Sequence, residues 1–319
     1  MQQKVTIGVP VFNVSSFIER CAVSLFEQSY QNIEYIFVDD CSPDDSVEIL
    51  RDVIDRYPLR KKQVQILRHD TNEGVAGSRN SIIKACTGDF LTQVDADDWL
   101  DKNAIKLWIA AQEEGGYDIV TSDAYYHYTT KKKYLKCPDY EDASDMAFKV
   151  LYTHPSIWGK LVRVSLYRNN NVYCVMGVNN GEDYQLLAKL SYYAQRVTNV
   201  HIPLYQYNCM NTNSYVSNIS DNALKKTVES HYIIKKFYDD LGVNYRMHSD
   251  IAEMQGLLYG IRIKDRRLFN EYIFRLHSLP SYVRQFAPRS KKITFYVRNY
   301  WIIHVYFKIA MRLKKWLKL

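Results

Sequence analysis

Hydrophobic positions in the first 124 residues come in short runs separated by amphipathic stretches. Val5–Phe12, Ile33–Val38, Val64–Leu67, Phe90–Val94 and Ile119–Ala124 are short, rich in β-branched and aromatic residues, and largely apolar at consecutive positions. Such runs predict strands buried on both faces, as in the middle of a parallel sheet. Between them, apolar residues recur at helical spacing behind recognisable start signals. Ser16-x-x-Glu19 reads as a capping box ahead of Cys21, Ala22 and Leu25. Ser42-Pro43 followed by Asp45 reads as an N-cap, a proline at the first helical position and a second box. The order βαβαβαβαβ predicts an α/β fold: an open, mostly parallel central sheet flanked by helices, with ligands at the C-terminal edge of the strands.

Residues 125–215 are less regular, rich in Tyr and Asn, and read as mixed strand and loop. Beyond Asn222 the pattern turns helical through Leu224, Val228, Tyr232, Ile233 and Phe237, and again near Ile251–Ile263. The chain therefore divides into a 1–215 body and a helical region at 216–319.

Composition narrows the class. A hydrophobic fraction of 47% over 319 residues suits a globular protein with a sizeable core. Cysteines at 21, 41, 86, 137, 174 and 209 include no Cys-x-x-Cys pair and suggest reduced thiols in a cytoplasmic setting. Met-Gln-Gln-Lys followed by a strand is not the pattern of a signal peptide. The net charge of +7 conceals an asymmetry. Tyr272 to Leu319 holds eleven Lys/Arg and no Asp/Glu, which leaves 31 bases against 35 acids in residues 1–271, a net of −4. An acidic body with a basic tail argues against nucleic acid as a partner.

Within the tail, residues 291–319, Ile302, Val305, Ile309, Leu313, Trp316 and Leu317 form one helical stripe, with Lys308, Arg312, Lys315 and Lys318 on roughly the opposite side. That pattern predicts an interfacial helix attracted to an anionic membrane surface, hence a peripheral protein on the inner face of the cytoplasmic membrane. The longest uncharged run, Asn299 to Phe307, is nine residues, against the roughly 20 needed to span a bilayer. The alternative is a terminal helix packed on the body.

Four strand ends meet along one edge of such a sheet. They are Val9-Pro10-Val11-Phe12-Asn13, Phe37-Val38-Asp39-Asp40-Cys41-Ser42, the glycine loop Asn72-Glu73-Gly74-Val75-Ala76-Gly77-Ser78-Arg79-Asn80, and Asp95-Ala96-Asp97-Asp98. Three carboxylates within four residues at the end of a buried strand repel one another and lose solvation. A cation and an anionic ligand such as a phosphate commonly offset that cost. A plainer account is an N-cap with acidic first-turn residues, since Trp99-Leu100 and Asn103-Ala104-Ile105 begin a helical pattern. Together, though, the four segments suit one ligand. A planar base packs on the first and bonds a carboxylate of the second, while the glycine loop and Arg79 approach a diphosphate bridged by a metal at the fourth. The loop lacks the signatures of a P-loop or a dinucleotide fold, and the eight histidines show no zinc spacing.

In these segments the chain resembles the inverting glycosyltransferases of family 2, which have the GT-A fold. That family runs approximately Val-Ile-x-Pro-x-Tyr-Asn, Val-Asp-Asp-Gly-Ser, Asn-x-Gly-x-x-x-Ala-Arg-Asn and Asp-x-Asp-Asp. The resemblance covers residues 4–100 nearly without gaps, then continues more weakly at Trp158-Gly159-Lys160-Leu161, Gly181-Glu182-Asp183-Tyr184 and Pro203-Leu204-Tyr205-Gln206-Tyr207. Cys41 stands where glycine is usual, and Ile82 replaces a common glycine after Arg79-Asn80.

The resemblance implies a GT-A (Rossmann-like) catalytic domain at 1–215, with a nucleotide-sugar-binding half at 1–100 and an acceptor half at 101–215. It implies a hexosyl- or N-acetylhexosaminyltransferase of bacterial cell-surface polysaccharide synthesis. The donor would be a nucleoside-diphosphate sugar, a UDP-sugar by preference, and the acceptor a glycan or lipid-linked saccharide hydroxyl. By the same resemblance Asp40 contacts the base, Pro10 and Phe12 line its slot beside Asn13, and Gly74 and Arg79 border the diphosphate. Asp95 bonds the ribose or the metal shell, Asp97 coordinates Mn²⁺ or Mg²⁺ with Asp98 as a neighbour, and Asp183 is the catalytic base. Without it, Asp183 reads as the acidic first turn of a helix through Leu186, Leu187 and Leu190. Two other functions fit parts of the pattern. A non-catalytic nucleotide-sugar-binding scaffold predicts loss of Asp97 or Asp183, and both are present. A Mg²⁺-dependent phosphotransferase commonly ends its first strand in a nucleophilic Asp, where this chain has Pro10-Val11-Phe12-Asn13.

Overall fold

The buried apolar runs form strands, and each strand sends alternate side chains to opposite faces of one sheet. The computed structural model describes residues 2–153, 156–211 and 220–316, with side chains through residue 310. Its first part contains β1 (Val5–Val11), α1 (Ile18–Phe26), β2 (Ile33–Asp39), α2 (Ser46–Arg56), α3 (Pro58–Lys61), β3 (Val64–Arg68), α4 (Gly74–Ala85) and β4 (Phe90–Gln93). Then follow β5 (Trp99–Leu100), α5 (Ala104–Gly115), β6 (Ile119–His127), β7 (Lys132–Leu135), α6 (Ala143–Lys149), β8 (Lys160–Arg163), α7 (Val164–Asn169), α8 (Glu182–Tyr193) and β9 (Val197–Asn208). The rest is helical: α9 (Asp221–Asp240), α10 (Arg246–Gly260), α11 (Arg266–Ser278) and α12 (Tyr300–Trp316), with 3₁₀ turns between them.

The strands pair in the order β3-β2-β1-β4-β8-β6-β9-β5, with β7 added to β6. The run β3-β2-β1-β4 is parallel. Beyond β4 the sheet is mixed, because β8 runs antiparallel to both β4 and β6 and β5 antiparallel to β9, while β9 is parallel to β6. The reversal at β8 brings the C-terminal ends of β6 and β9 to the same edge as those of β1, β2 and β4. All the motif-bearing strand ends therefore share one crevice.

Two cores lie on the two faces. Val5, Ile7, Val9, Tyr35, Phe37 and Phe90 pack with α1, α2 and α5. Ile36, Val38 and Leu91, one residue out of phase, pack with α4 and α8. The second core continues without a break into the C-terminal helices through Ile234, Ile251, Phe269 and Ile303. Both departures from the family pattern have local accounts. Ile82 is fully buried, and a Cβ placed on Gly8 would lie 2.3 Å from its Cγ2, so the larger side chain on α4 fits because β1 carries none opposite it. Cys41 holds φ at 61°, the left-handed conformation that the usual glycine adopts without strain.

Several start signals fall in different places from those the sequence predicts. α1 begins at Ile18 behind Phe17, without a side-chain cap, because the Val14 carbonyl accepts the Phe17 and Ile18 amides. α2 begins at Ser46, not after Ser42, and the Ser42 hydroxyl instead donates to Asp44. Trp99-Leu100 is a strand rather than the start of a helix, and α5 opens at Ala104. Residues 125–215 include three helices, α6, α7 and α8, besides strand and loop. α9 buries Leu224, Val228, His231, Ile234 and Tyr238, leaving Tyr232, Ile233 and Phe237 at the margin.

The tail forms α12, which buries Ile303 and Phe307 and exposes Trp301, Ile302, Val305 and Ile309. The predicted stripe and basic side at Arg312, Leu313, Lys315 and Trp316 lie outside the described side chains, and Leu317 and Lys318 outside the described residues. Among the described residues no helix is long and apolar enough to cross a membrane.

Candidate active site

The crevice is organised by hydrogen bonds between strand-end loops. Asn13 turns the chain after β1 with φ at 54° and donates its amide to Ser42 Oγ at 2.8 Å. The Ser15 amide donates to Asp44 Oδ2 at 2.8 Å, and the Ser42 and Ser46 hydroxyls donate to Asp44 Oδ1. Burial raises the Asp44 carboxyl, but bonds from Ser46, Ser15 and Ser42 outweigh it and hold the group well below the usual range. Residues that read as caps in the sequence thus lock the first two loops together. Pro10 is half-buried opposite Val38, and the Phe12 ring is 44% exposed at the mouth.

Asp40 is buried, and both of its carboxylate oxygens are occupied from within. Oδ1 takes the Glu73 amide at 2.8 Å and His69 Nδ1 at 2.7 Å, and Oδ2 takes the Gly74 amide at 2.8 Å. The Ala76 amide donates to Asn179 Oδ1 at 3.1 Å. The Gly74 and Ala76 amides in the first turn of α4 are therefore engaged within the protein. Gly74 is required for another reason. Its φ is +76°, and a Cβ there would lie 2.0 Å from the Asn179 side chain.

Arg79, on α4, is 2% exposed and reaches the end of β4 and the start of α8. Its Nη1 donates to Gln93 Oε1 at 2.9 Å, and its Nη2 donates to Asp95 Oδ1 at 3.0 Å. The same Nη2 lies 3.1 Å from Asp183 Oδ1, and Nε lies 3.5 Å from Glu182 Oε1. Neither of these last two contacts has hydrogen-bond geometry, so Arg79 Nε and Asp183 Oδ1 are buried polar atoms without a hydrogen-bond partner among the described residues. Burial opposes the Arg79 charge, but Asp183, Asp95 and Glu182 outweigh it and hold the guanidinium charged. Burial also raises Asp183, with Arg79, the Ile157 amide and Lys160 pulling down and Asp95 pushing up. Burial and then Asp183 raise Glu182.

The carboxylates after β4 have separate surroundings. Asp98 is buried, accepting Tyr205 Oη at 2.7 Å and the Asn208 amide at 2.6 Å. It caps no helix. Tyr205 Oη also accepts the Asp95 amide at 3.2 Å, and its ring stacks on Trp158 at 4.5 Å. Asp97 is half-buried, and its Oδ2 accepts Asn211 Nδ2 at 2.8 Å. Burial and the neighbouring Asp95 push Asp97 up to about 6.

Asp95 and Asp97 supply hard oxygen donors, and the rise at Asp97 marks a place where positive charge is favoured. This suits Mn²⁺ or Mg²⁺. Among the described residues no three or more His, Cys, Asp or Glu side chains could hold a metal alone. Gln93 and Asn211 had no sequence signal. Trp158 and Tyr205 lay in quoted motifs without a role, and their place beside the cluster follows from β8 and β9 joining the same sheet.

The sequence model of glycosyl transferase family 2 matches residues 6–176, more than half of the chain, so the chain belongs to that family. An uncharacterized glycosyltransferase, EpsJ of Bacillus subtilis, is 28% identical over 251 residues, 75% of this chain and 71% of that one. Glycosyltransferase GlyG of Streptococcus pneumoniae is 32% identical over 128 residues, 40% of this chain, and the match spans only 41% of that relative's length. The crystal structure of S. aureus TarS 1–349 in complex with UDP-GlcNAc superposes with a TM-score of 0.71 at 17% identity, covering 96% of this chain and 92% of that one. A mannosyltransferase from Pyrobaculum calidifontis, in complex with GDP-Man and Mn²⁺, gives 0.55 at 13% identity, covering 94% and 88%. The chain is a glycosyltransferase with the GT-A fold.

Replacing Arg79 with Met leaves three carboxylates without their shared cation, so the fold is expected to lose about 3–5 kcal/mol in urea titrations at pH 7. Arg79→Lys should recover only part, because one ammonium cannot fork to Gln93, Asp95 and Asp183 together. The pH dependence has a definite sign. Glu182 and Asp183 are raised in the folded protein, so their contribution is present at acid pH and lost as pH rises through the raised values. The Arg79→Met loss should therefore be smaller at pH 5 than at pH 8. A variant as stable as the wild type at both pH values would show that Arg79 does not hold the cluster.

Proposed function

For this family 2 glycosyltransferase we propose a nucleoside-diphosphate sugar as donor, a UDP-sugar in first place. The acceptor is a hydroxyl of a glycan or lipid-linked saccharide, and the anomeric configuration inverts. The observation that carries this reading is the reach of one guanidinium: Arg79 Nη2 is 3.0 Å from Asp95 and 3.1 Å from Asp183. The acidic cluster after β4 and the first turn of α8 thereby meet at a single point, as donor and base must in a direct displacement. The UDP-GlcNAc and GDP-Man complexes of the two structural neighbours support the donor class.

Phe12 offers its exposed ring to the base, with Pro10 beneath and Asn13 setting the turn. Asp40 acts through the loop it fixes. Asp39, engaged by the Ser42 amide at 2.8 Å and by Arg68 at 3.5 Å, is the carboxylate of that pair better placed to bond the base. Asp95 bonds the ribose or a metal-bound water, and Asp97 with Asp95 would hold Mn²⁺ or Mg²⁺. When bound, that cation offsets charge developing on the leaving diphosphate.

Asp183 removes the proton from the attacking hydroxyl. The new glycosidic bond forms at C1 as the bond to the diphosphate breaks on the opposite face, and the proton stays on the carboxyl. Burial makes Asp183 more basic than an ordinary aspartate, and Arg79 keeps it ionisable. One displacement needs one base.

The division of labour proposed is donor binding by 1–100, acceptor binding by 101–215 and support by 216–319. α12 has a buried side that docks on the protein and an exposed apolar side at Trp301, Ile302, Val305 and Ile309. With eleven bases and no acid from residue 272 onward, that side suits an anionic membrane carrying a lipid-linked acceptor.

Asp183→Asn should abolish transfer while thermal stabilisation by UDP and Mn²⁺ persists; substantial turnover by this variant removes Asp183 as the base. EDTA should stop turnover with the best donor from a panel of UDP-, GDP- and dTDP-sugars, and Mn²⁺ or Mg²⁺ should restore it. Full activity in chelator counts against Asp97 as a ligand. The chain should float with phosphatidylglycerol-rich liposomes, and a variant lacking 291–319 should not; equal flotation of the two would exclude the tail as the anchor.

A further inference from the structure

We propose that Ser230, on the C-terminal helix α9, is a positioning residue for Asp183 and that the helical region thereby belongs to the catalytic machinery. The inference rests on the reading of Asp183 as the base. Asp183 lies in the first turn of α8, whose N-cap is Gly181 with φ of 92° and no side-chain cap. With no side-chain cap, the placement of this turn depends on neighbouring elements, and the Gly181 carbonyl, which already accepts the Gln185 amide at 3.1 Å, takes a second bond from α9. Ser230 is fully buried, and its Oγ donates to the Gly181 carbonyl at 2.8 Å while accepting Gln185 Nε2 at 2.8 Å. Asn180 Nδ2 donates to the Ala223 carbonyl at 2.9 Å and to Thr227 Oγ1 at 3.0 Å.

The fit is close. A Cβ on Gly181 would lie 2.8 Å from Ser230 Oγ, so the turn seats directly on α9. At the next residue of α9, the His231 ring stacks on Tyr184 of α8 at 4.3 Å. Gln185 completes the frame by accepting the Val175 amide at 3.0 Å, next to Cys174, which is bonded to Asn80 on α4. The helices carrying Arg79 and Asp183 are therefore registered through one loop, and Ser230 sets where that loop and the first turn of α8 sit.

The test uses the full chain and the best donor of the UDP-, GDP- and dTDP-sugar panel. Ser230→Ala is expected to lower kcat about 10- to 100-fold, since small misplacements of a base are costly, with donor KM within about twofold. Loosening the turn admits water to Asp183 and lowers its raised pKa toward the ordinary range. The acid limb of the pH–rate profile should therefore move to lower pH. The charged groups around Asp183, namely Arg79, Glu182, Asp95 and Lys160, are unchanged in this variant. Asn180→Ala, at a half-buried site, should show a smaller effect of the same kind and stands in if Ser230→Ala does not fold. Added to Asp183→Asn, Ser230→Ala should cost nothing more. Wild-type kcat and pH profile in the single variants, with Asp183→Asn inactive, overturn the positioning role and leave the base assignment standing. An active Asp183→Asn overturns both.

Discussion

One buried guanidinium determines most of what this crevice can be. Arg79 cannot shed its proton, and it is enclosed almost entirely, so anions must surround it for the fold to hold. They come from two distant parts of the chain, Asp95 after β4 and Glu182-Asp183 at the start of α8. Burial raises Glu182 and Asp183, and the Arg79 charge pulls both back down. The cation and its three anions therefore justify one another, and their meeting fixes α8 against the strand edge. The remaining framework serves this contact: Asp40 and Asn179 cap α4 so that Arg79 projects correctly, and Asn80 ties α4 to the loop entering α8.

The parallel half of the sheet was legible because buried parallel strands must be apolar on both faces, and such runs stand out. The motif positions were legible for the same reason, as polar residues interrupting those runs at their C-terminal ends. Partners across long sequence separations were not. A basic residue after a glycine loop carries no local mark of the acids that Arg79 meets more than 100 residues later. Nor does the strand end show that the Asp40 oxygens accept backbone amides 33 and 34 residues on. Ser42 and Asp45 looked like a capping box because pattern rules see spacing, and the loop-to-loop bonding of Asp44 depends on where β1 places Ser15. Tyr205 and Asn208 became site residues only because β9 pairs with β6, a pairing that no periodicity announces.

The helical region illustrates a different limit. Its amphipathic stripes were visible, and they suggested a separate extension. In the fold the stripes on α9 to α12 share the core beneath α4 and α8, so the apolar face of the sheet's covering helices is itself covered. Length explains this. A two-layer packing leaves α8 with one apolar side open, and the chain beyond residue 220 supplies the third layer.

The acidic cluster after β4 shows how burial sorts chemically identical groups. Asp98 has two strong donors and is satisfied by a tyrosine and a backbone amide. Asp95 has the guanidinium. Asp97 has a neutral amide from Asn211, while Arg20, whose Nη2 bonds the Asp97 carbonyl at 3.1 Å, contributes only a distant field to its carboxylate. Asp98 is more deeply buried and has the same like-charged neighbours, but a hydroxyl and a backbone amide hold its two oxygens, whereas among the described residues Asp97 has the Asn211 amide on Oδ2. Under the proposed function, a divalent cation arriving with a diphosphate would offset the raised Asp97 carboxylate without displacing Tyr205 or Arg79. The same cation placed on Asp98 would compete with Tyr205, and placed on Asp95 alone it would compete with Arg79. The protein's own hydrogen bonds thus favour Asp97 over its neighbours for the proposed cation.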